Sequence, residues 1–113
     1  MFKGGRGVGQ SDEKAVQWWR KAADQGDATA QCALGSMFLK GRGVARSNEE
    51  AVEWYSKAAD QGCAVAQLNL GLMLANGRGV AQSDKEAVEW YRKAADQGHA
   101  QAQHNLGLMF LGG

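Results

Sequence analysis

A 36-residue period constrains the fold of this chain more than any other feature of its sequence. The motif Gly-Arg-Gly-Val recurs at that step, beginning at Gly5, Gly41 and Gly77. The motif Lys-Ala-Ala-Asp-Gln-Gly recurs at the same step. A period of roughly 20–50 residues is typical of solenoids and other repeat arrays, in which each unit packs only on its neighbours. The period therefore predicts a single array over residues 1–113, with repeat units of about 5–40, 41–76 and 77–112.

Two amphipathic helices are predicted in every unit. The first, which we call the tryptophan helix, has apolar residues at steps of three and four. Its copies are expected at about Ser11–Gln25, Ser47–Gln61 and Ser83–Gln97. The second, which we call the LG helix after its Leu-Gly pair, is expected at about Ala28–Lys40, Ala64–Asn76 and Ala100–Leu111. Because the turn between them is short, the two helices should be antiparallel neighbours, and the predicted fold class is an all-α solenoid of stacked helix pairs.

Residues at the helix ends indicate where these helices begin and stop. Ser47 and Ser83 are predicted N-caps, since a glutamate three residues later completes a capping box in each case. Ser11 is also a predicted N-cap, although Lys14 replaces the acid there. Left-handed glycines are expected at the ends of the tryptophan helices and in the Gly-Arg-Gly-Val loops. Two roles remain open for the loop arginines, hydrogen bonding to helix-end carbonyls or simple solvation: Arg6, Arg42 and Arg78.

A glycine lies in the middle of every LG helix, at Gly35, Gly71 and Gly107. Glycine inside a helix costs about 0.5–1 kcal/mol relative to alanine. Because the sequence accepts this cost in all three repeats, we expect each glycine to make room for a neighbouring helix. We expect a tryptophan indole to press against the bare backbone.

The balance of charge excludes two classes of partner. The chain has 13 basic and 12 acidic residues and a net charge of +1, well mixed along the sequence. Nucleic acids and anionic membranes are bound through clustered lysine and arginine, so neither is expected as a partner. No apolar run approaches the ~20 residues of a membrane span, and the N-terminus has no secretory signal.

The two ends of the chain fall at the same point of the repeat, and neither carries a polar capping helix. Solenoid termini need such caps to stay soluble. We therefore expect either a slice of a longer array or end faces that self-associate. If the chain is such a slice, the absence of a secretory signal leaves the cellular compartment undetermined.

The repeating motifs resemble those of the Sel1-like repeat family, which is related to the tetratricopeptide repeat. The unit Ala-Gln-x-x-Leu-Gly-x-Met-x-x-x-Gly-Arg-Gly-Val, followed by Trp-Tyr-x-Lys-Ala-Ala, carries the resemblance along essentially the whole chain. One departure is Trp19, which stands where Tyr55 and Tyr91 stand later. The resemblance implies a right-handed α-solenoid that acts as an adaptor for protein partners, with the LG helices on its concave side. Members of the family serve in signalling, in quality control of membrane proteins and in bacterial contact with host cells.

Positions that differ between the three copies are candidates for a binding surface, because repeat packing does not dictate them. On the LG helices, steps of three and four residues join several of them into one face. An open apolar groove of this kind favours the capture of a peptide or helix from a partner protein. The alternative is that some of the leucines pack between adjacent LG helices. The predicted groove residues are Thr29, Cys32, Ser36, Lys40, Val65, Leu68, Asn69, Leu72, Asn76, Gln101, His104, Asn105 and Leu108.

Catalytic and cofactor chemistry has little support in the sequence. Ser11 and Lys14 match the Ser-x-x-Lys pattern of penicillin-binding enzymes, and the resemblance extends to cysteine-rich relatives linked to penicillin binding, so such an enzyme is one alternative. A purely architectural spacer is another. The cysteines Cys32 and Cys63 fall at different phases of neighbouring LG helices, whose axes lie about 8–10 Å apart, so no disulfide is expected between them. No metal or other cofactor is expected either.

Overall fold

Six α-helices and no strand make up residues 8–112, the part of the chain that this computed structural model describes. Their bounds are α1 Val8–Asp24, α2 Ala28–Lys40, α3 Asn48–Asp60, α4 Ala64–Asn76, α5 Asp84–Asp96 and α6 Ala100–Gly112. The odd-numbered helices are the tryptophan helices and the even-numbered ones are the LG helices. This architecture confirms the predicted all-α class, and the bounds differ from the predicted ones mainly at the start of α1.

Each helix packs on the helices next to it in sequence, with the most extensive contacts between α2 and α3 and between α4 and α5. The resulting molecule is elongated, with principal extents of 46 × 29 × 27 Å. Contacts between successive helices and an elongated shape are what a repeat stack produces, because each unit touches only its neighbours. The predicted α-solenoid is therefore confirmed.

Two of the three predicted N-caps form as expected. The hydroxyl oxygens of Ser47 and Ser83 accept hydrogen bonds from the backbone N–H of Glu50 and Glu86, each at 3.2 Å. The prediction for Ser11 was wrong, because α1 begins three residues earlier, at Val8. The first copy lacks the glutamate that completes the capping box, so the serine alone does not determine where that helix starts.

The Gly-Arg-Gly-Val loops lie directly against the start of a tryptophan helix. Gly43 has a φ of 73°, and a Cβ built on it would lie 2.7 Å from the carbonyl oxygen of Asp12. Next to it, the Arg42 guanidinium donates to the Asp12 carboxylate at 2.9 and 3.3 Å. Arg42 therefore binds an acidic side chain in α1, whereas a helix-end carbonyl or plain solvation was expected. Arg6 lies outside the described residues.

The second loop repeats this geometry with a different partner residue. Asn48 stands one repeat after Asp12, and the carbonyl oxygen of Asn48 lies 2.5 Å from a Cβ built on Gly79. The side-chain oxygen of Asn48 is buried and accepts no hydrogen bond. An amide thus replaces the carboxylate at this position.

The mid-helix glycines of α2 and α4 accommodate an aromatic ring, as predicted, but the ring is tyrosine. A Cβ on Gly35 would lie 2.8 Å from Cδ1 of Tyr55, and one on Gly71 would lie 2.6 Å from Cε1 of Tyr91. Tryptophan was therefore the wrong residue of the Trp-Tyr pair. At Gly107 nothing lies within 4 Å of the added Cβ.

Glutamine side chains link one repeat to the next. Gln31 is buried and donates to the carbonyl oxygen of Ala23 at 3.2 Å, while its own side-chain oxygen accepts from Gln61 at 2.9 Å. The next repeat has the same arrangement around Gln67, which accepts from Gln97 at 3.0 Å. Because buried amides are costly to leave unpaired, these bonds explain why the Ala-Gln and Asp-Gln pairs recur in every unit.

Candidate functional site

Two clefts open between consecutive LG helices, and predicted groove residues line both. The first cleft lies between α2 and α4 and has a volume of about 450 Å³. It is lined by Thr29, Cys32, Ala33, Ser36, Cys63, Val65 and Asn69. The second cleft lies between α4 and α6, where Tyr91 of α5 also contributes, and has a volume of about 210 Å³. It is lined by Leu72, Ala75, Asn76, Tyr91, Asn105, Leu108 and Met109.

The clefts have exposed apolar walls. Val65 of the first cleft is 48% exposed, and Leu72 and Leu108 of the second are 36% and 53% exposed. Leu68 differs, because only 8% of it is exposed and it packs in the hydrophobic core. For Leu68 the geometry thus matches the alternative reading, in which a leucine packs between helices. Whether the other residues bind a partner stays a prediction.

The remaining predicted residues lie on the same helices but outside the cleft walls. Lys40, Gln101 and His104 are exposed. The Gln101 amide donates to the side-chain oxygen of Asn105 at 3.0 Å, so these two polar groups already satisfy each other in part. Within the second cleft, Asn76 donates to the carbonyl oxygen of Leu72 at 2.9 Å.

A larger concavity than either cleft lies elsewhere and is a weaker candidate. It has a volume of about 620 Å³, and its walls come from the solvent-facing side of α5 alone, at Lys85, Val88, Glu89, Arg92, Lys93 and Asp96. Side chains of a single helix cannot surround a ligand on more than one side. Ligand sites are usually concave surfaces built by several elements, as the two inter-helix clefts are.

The structure brings Cys32 and Cys63 together at the first cleft, where both are free thiols. Burial, together with the neighbouring Cys63 thiol, raises the pKa of Cys32 to about 12. No disulfide was expected between these residues, and both are free, but they lie close enough for the two thiols to interact. Next to the cysteines, the side chains of Gln31 and Gln61 are hydrogen-bonded at 2.9 Å, so the two segments also touch at that point.

Burial also controls the titration of the tyrosines that pack on the LG helices. It raises the pKa of Tyr55 to about 12; the nearby Cys32 thiol adds to the increase, and a hydrogen bond with Ser36 opposes it. Burial raises the pKa of Tyr91 as well. Both rings are therefore neutral packing elements at physiological pH.

Other kinds of site find no support in residues 8–112. No group of three or more His, Cys, Asp or Glu side chains is placed there to hold a metal ion. Within the same residues, no helix combines the length and apolarity needed to cross a membrane. Ser11 and Lys14, which raised the penicillin-binding alternative, both fall within α1, and nothing in the structure tests that alternative.

Comparison with known proteins agrees with the repeat geometry. The family model described as Sel1 repeat matches residues 1–27, 28–63, 64–99 and 100–113. Among solved structures, a Sel1 repeat protein from Oxalobacter formigenes is 45% identical over 85% of this chain, with a TM-score of 0.82. A protective antigen of uropathogenic Escherichia coli that displays an SLR fold is 36% identical over 88% of the chain, with a TM-score of 0.85.

A third similar structure is that of cysteine rich protein B from Helicobacter pylori, 29% identical over 83% of this chain, with a TM-score of 0.79. The match covers 71% of that protein, but only 40% of the Oxalobacter protein and 21% of the Escherichia coli antigen. This chain thus spans less than half the length of each of the first two. No curated protein matches it.

Proposed function

Because the chain belongs to the Sel1 repeat family, we propose that it is a non-catalytic scaffold that holds a peptide or helix of a partner protein in the groove formed by its two clefts. Sel1 repeat proteins are generally protein-interaction scaffolds. The groove is the finer part of the proposal, and it rests on this chain's own residues.

The observation that carries the proposal is the combination of sequence variation, exposure and apolarity at the clefts. Val65, Leu72 and Leu108 each occupy positions at which the repeats differ, although most of the unit is invariant. All three are exposed and face concave surfaces between helices. Contiguous apolar surface in a groove is a mark of an interaction site, since burying it against a partner releases ordered water.

Polar groups at the cleft walls would orient the bound segment. Asn69 lies in the first cleft and Asn105 in the second. Their amides can donate to and accept from the backbone of an extended or helical peptide. The apolar side chains would supply most of the affinity, and the amides would select direction and register.

A selected peptide and a matched pair of variants test the proposal. Peptides are first selected from a displayed random library against the native chain, and their affinity is measured by calorimetry. The triple variant Val65→Ser, Leu72→Ser, Leu108→Ser should bind at least ~10-fold more weakly, because each lost apolar contact is worth about 1 kcal/mol or more. The control is Trp18→Ser, which removes an apolar side chain that is 68% exposed on α1, away from the clefts.

The results distinguish peptide binding in the groove from binding elsewhere on the chain and from a purely architectural role. Equal affinity for the native chain and the triple variant would refute the groove. Loss of affinity in the control alone would place binding on the tryptophan helices. If no peptide is selected from libraries of both extended and helical design, the architectural spacer becomes the better account. Circular dichroism of each variant verifies that the helices are retained.

Self-association through the end faces is a second proposal with its own support. In α1, Ala15, Trp19 and Ala22 are only partly buried, whereas their counterparts in α3 and α5 are buried. In α6, Gly107 and Phe110 are exposed, whereas their counterparts in α2 and α4 are buried. Stacking one face on the other would reproduce the internal repeat contact. Light scattering should then show mass increasing with concentration, and a strictly monomeric chain at high concentration would count against it.

A further inference from the structure

The cysteine pair at the first cleft offers a thiol chemistry that the proposed binding function does not use. Cys32 lies on α2, and Cys63 precedes α4 as its N-cap residue. The hydrogen bond of 2.9 Å between the side chains of Gln31 and Gln61 fixes the register of the two segments. Both thiols line the same cleft, and both are partly accessible to solvent.

The position of Cys63 leaves its thiol free of its own helix. At the equivalent position in the preceding repeat, the Asp27 carboxylate accepts from the backbone N–H of Ala30 at 3.0 Å. In the following repeat, Nδ1 of His99 accepts from the N–H of Ala102 at 3.3 Å. Cys63 makes no such capping bond. Its side chain instead interacts with Cys32.

The pairing belongs to one interface only among the described repeats. One unit later, the residues equivalent to Cys32 and Cys63 are Leu68 and His99. Repeat packing therefore does not require two thiols at this place, since a leucine and a histidine occupy it in an otherwise similar interface. The chain also contains no other cysteine.

We propose that Cys32 and Cys63 are a thiol pair that closes to an intramolecular disulfide on reaction with a low-molecular-weight disulfide such as oxidised glutathione. In the first step the Cys63 thiolate attacks one sulfur of the reagent, and one glutathione leaves as its thiolate. In the second step Cys32 gives up its proton to water and attacks the Cys63 sulfur, the Cys63–glutathione bond breaks, and the second glutathione leaves as its thiolate; the two glutathione thiolates take up the protons that the two cysteines release. Two protein thiols are oxidised and one external disulfide is reduced to two thiols, so atoms and electrons balance.

The order of attack follows from the surroundings of the two sulfurs. Burial, with the neighbouring Cys63 as the lesser cause, raises the pKa of Cys32 from 9.0 to about 12, so its thiolate is scarce at neutral pH. The first attack therefore falls to Cys63. Once Cys63 is in a mixed disulfide it carries no charge, and its contribution to the raised pKa of Cys32 disappears. Proximity then favours the internal second step over reaction with another molecule.

The bond would join two helices that otherwise touch only weakly. The LG helices α2 and α4 are each packed mainly on tryptophan helices. A covalent link between them closes a chain loop from residue 32 to residue 63 and holds one wall of the first cleft against the other. Closing such a loop restricts the unfolded chain, and the unfolding midpoint should rise by roughly 10 °C.

Mass spectrometry after incubation with oxidised glutathione tests the proposal on the whole chain. The reduced chain should lose the mass of two hydrogens, gain no glutathionyl group and yield a linked pair of cysteine peptides. Cys32→Ser should stop at one glutathionyl group on Cys63, and Cys63→Ser should react at least ~10-fold more slowly than Cys32→Ser. The midpoint increase should reverse with reductant.

Three results would overturn the proposal. They are a native chain that carries two glutathionyl groups, disulfide-linked dimers in place of the internal bond, or equal reaction rates for the two single variants. Circular dichroism of the serine variants verifies that they fold, and alanine variants replace any that do not. The covalent readout does not depend on peptide binding, so this inference and the groove succeed or fail separately.

Discussion

The contact between a mid-helix glycine and the next repeat's tyrosine makes the same substitution act in opposite directions at equivalent positions. Alanine in place of glycine gains about 0.5–1 kcal/mol of helix propensity. At Gly71, however, the new Cβ would lie 2.6 and 2.8 Å from Tyr91 ring atoms, where ordinary contacts begin at 3.4 Å. At Gly107 nothing lies within 4 Å.

The size of the two effects follows from how far the ring can move. Tyr91 is buried, so its ring cannot swing out to solvent without disturbing its neighbours. Overpacking of this kind costs about 1–3 kcal/mol, which exceeds the gain in propensity. We expect Gly71→Ala to lower the free energy of unfolding by about 1–2 kcal/mol and Gly107→Ala to raise it by about 0.5–1 kcal/mol.

Thermal unfolding followed by circular dichroism measures the difference. In a domain of this size 1 kcal/mol corresponds to about 4–8 °C, so the two variants should move the midpoint in opposite directions by a resolvable amount. In a Tyr91→Leu background, Gly71→Ala should cost less than it does in the native chain, since the clash is removed with the ring. The reasoning fails if Gly71→Ala is as stable as the native chain, or if Gly107→Ala is destabilised to the same extent.

Three further predictions follow from the contacts between repeats. Asn48→Asp should stabilise the chain by about 0.5–1 kcal/mol in urea unfolding, because the carboxylate can bind Arg78 as Asp12 binds Arg42 and lies at a helix N-terminus. Adding Arg78→Gln should remove the part of the gain that the ion pair supplies. Gln67→Ala should lower the free energy of unfolding by about 2 kcal/mol in the same measurement, since it leaves buried hydrogen-bonding partners unpaired. The equivalent change in the last repeat, Gln103→Ala, should cost less than half of that, because Gln103 is exposed. Folding raises the pKa of Tyr55 from 10.0 to about 12, so the stability that the neutral side chain contributes is complete below pH 10 and is lost as the pH rises to about 12. Tyrosinate absorbance should therefore appear together with unfolding. Titration of Tyr55 at pH 10 while the chain is still folded would contradict this.

The sequence predicted the architecture well because the repeat makes every local signal appear three times. Helix ends at Ser47 and Ser83 were predicted from capping chemistry, and those caps form. The failure at Ser11 occurred in the one copy whose capping box is incomplete. Local rules thus worked where all their residues were present.

The candidate site was less predictable, because it depends on how far neighbouring helices are staggered. Periodicity placed Leu68 and Leu72 on one face, yet Leu68 packs in the core and Leu72 faces the second cleft. The proximity of Cys32 and Cys63 likewise depends on how one repeat packs on the next. The tyrosine, instead of the tryptophan, meets the mid-helix glycine because an offset of one residue turns a side chain by about 100° around a helix. None of these distances is encoded in a single repeat.

The glycine–tyrosine contact affects how the number of repeats in the array can change during evolution. Because the glycine and the tyrosine of each contact lie at fixed places in the unit, any copy that carries the tyrosine can follow any other copy and make the same contact. Duplication or loss of a whole unit in the gene leaves every surviving junction intact, whereas a change by a fraction of a unit brings a ring against a side chain. Array length is therefore free to vary in steps of one repeat, while the cleft residues diversify independently.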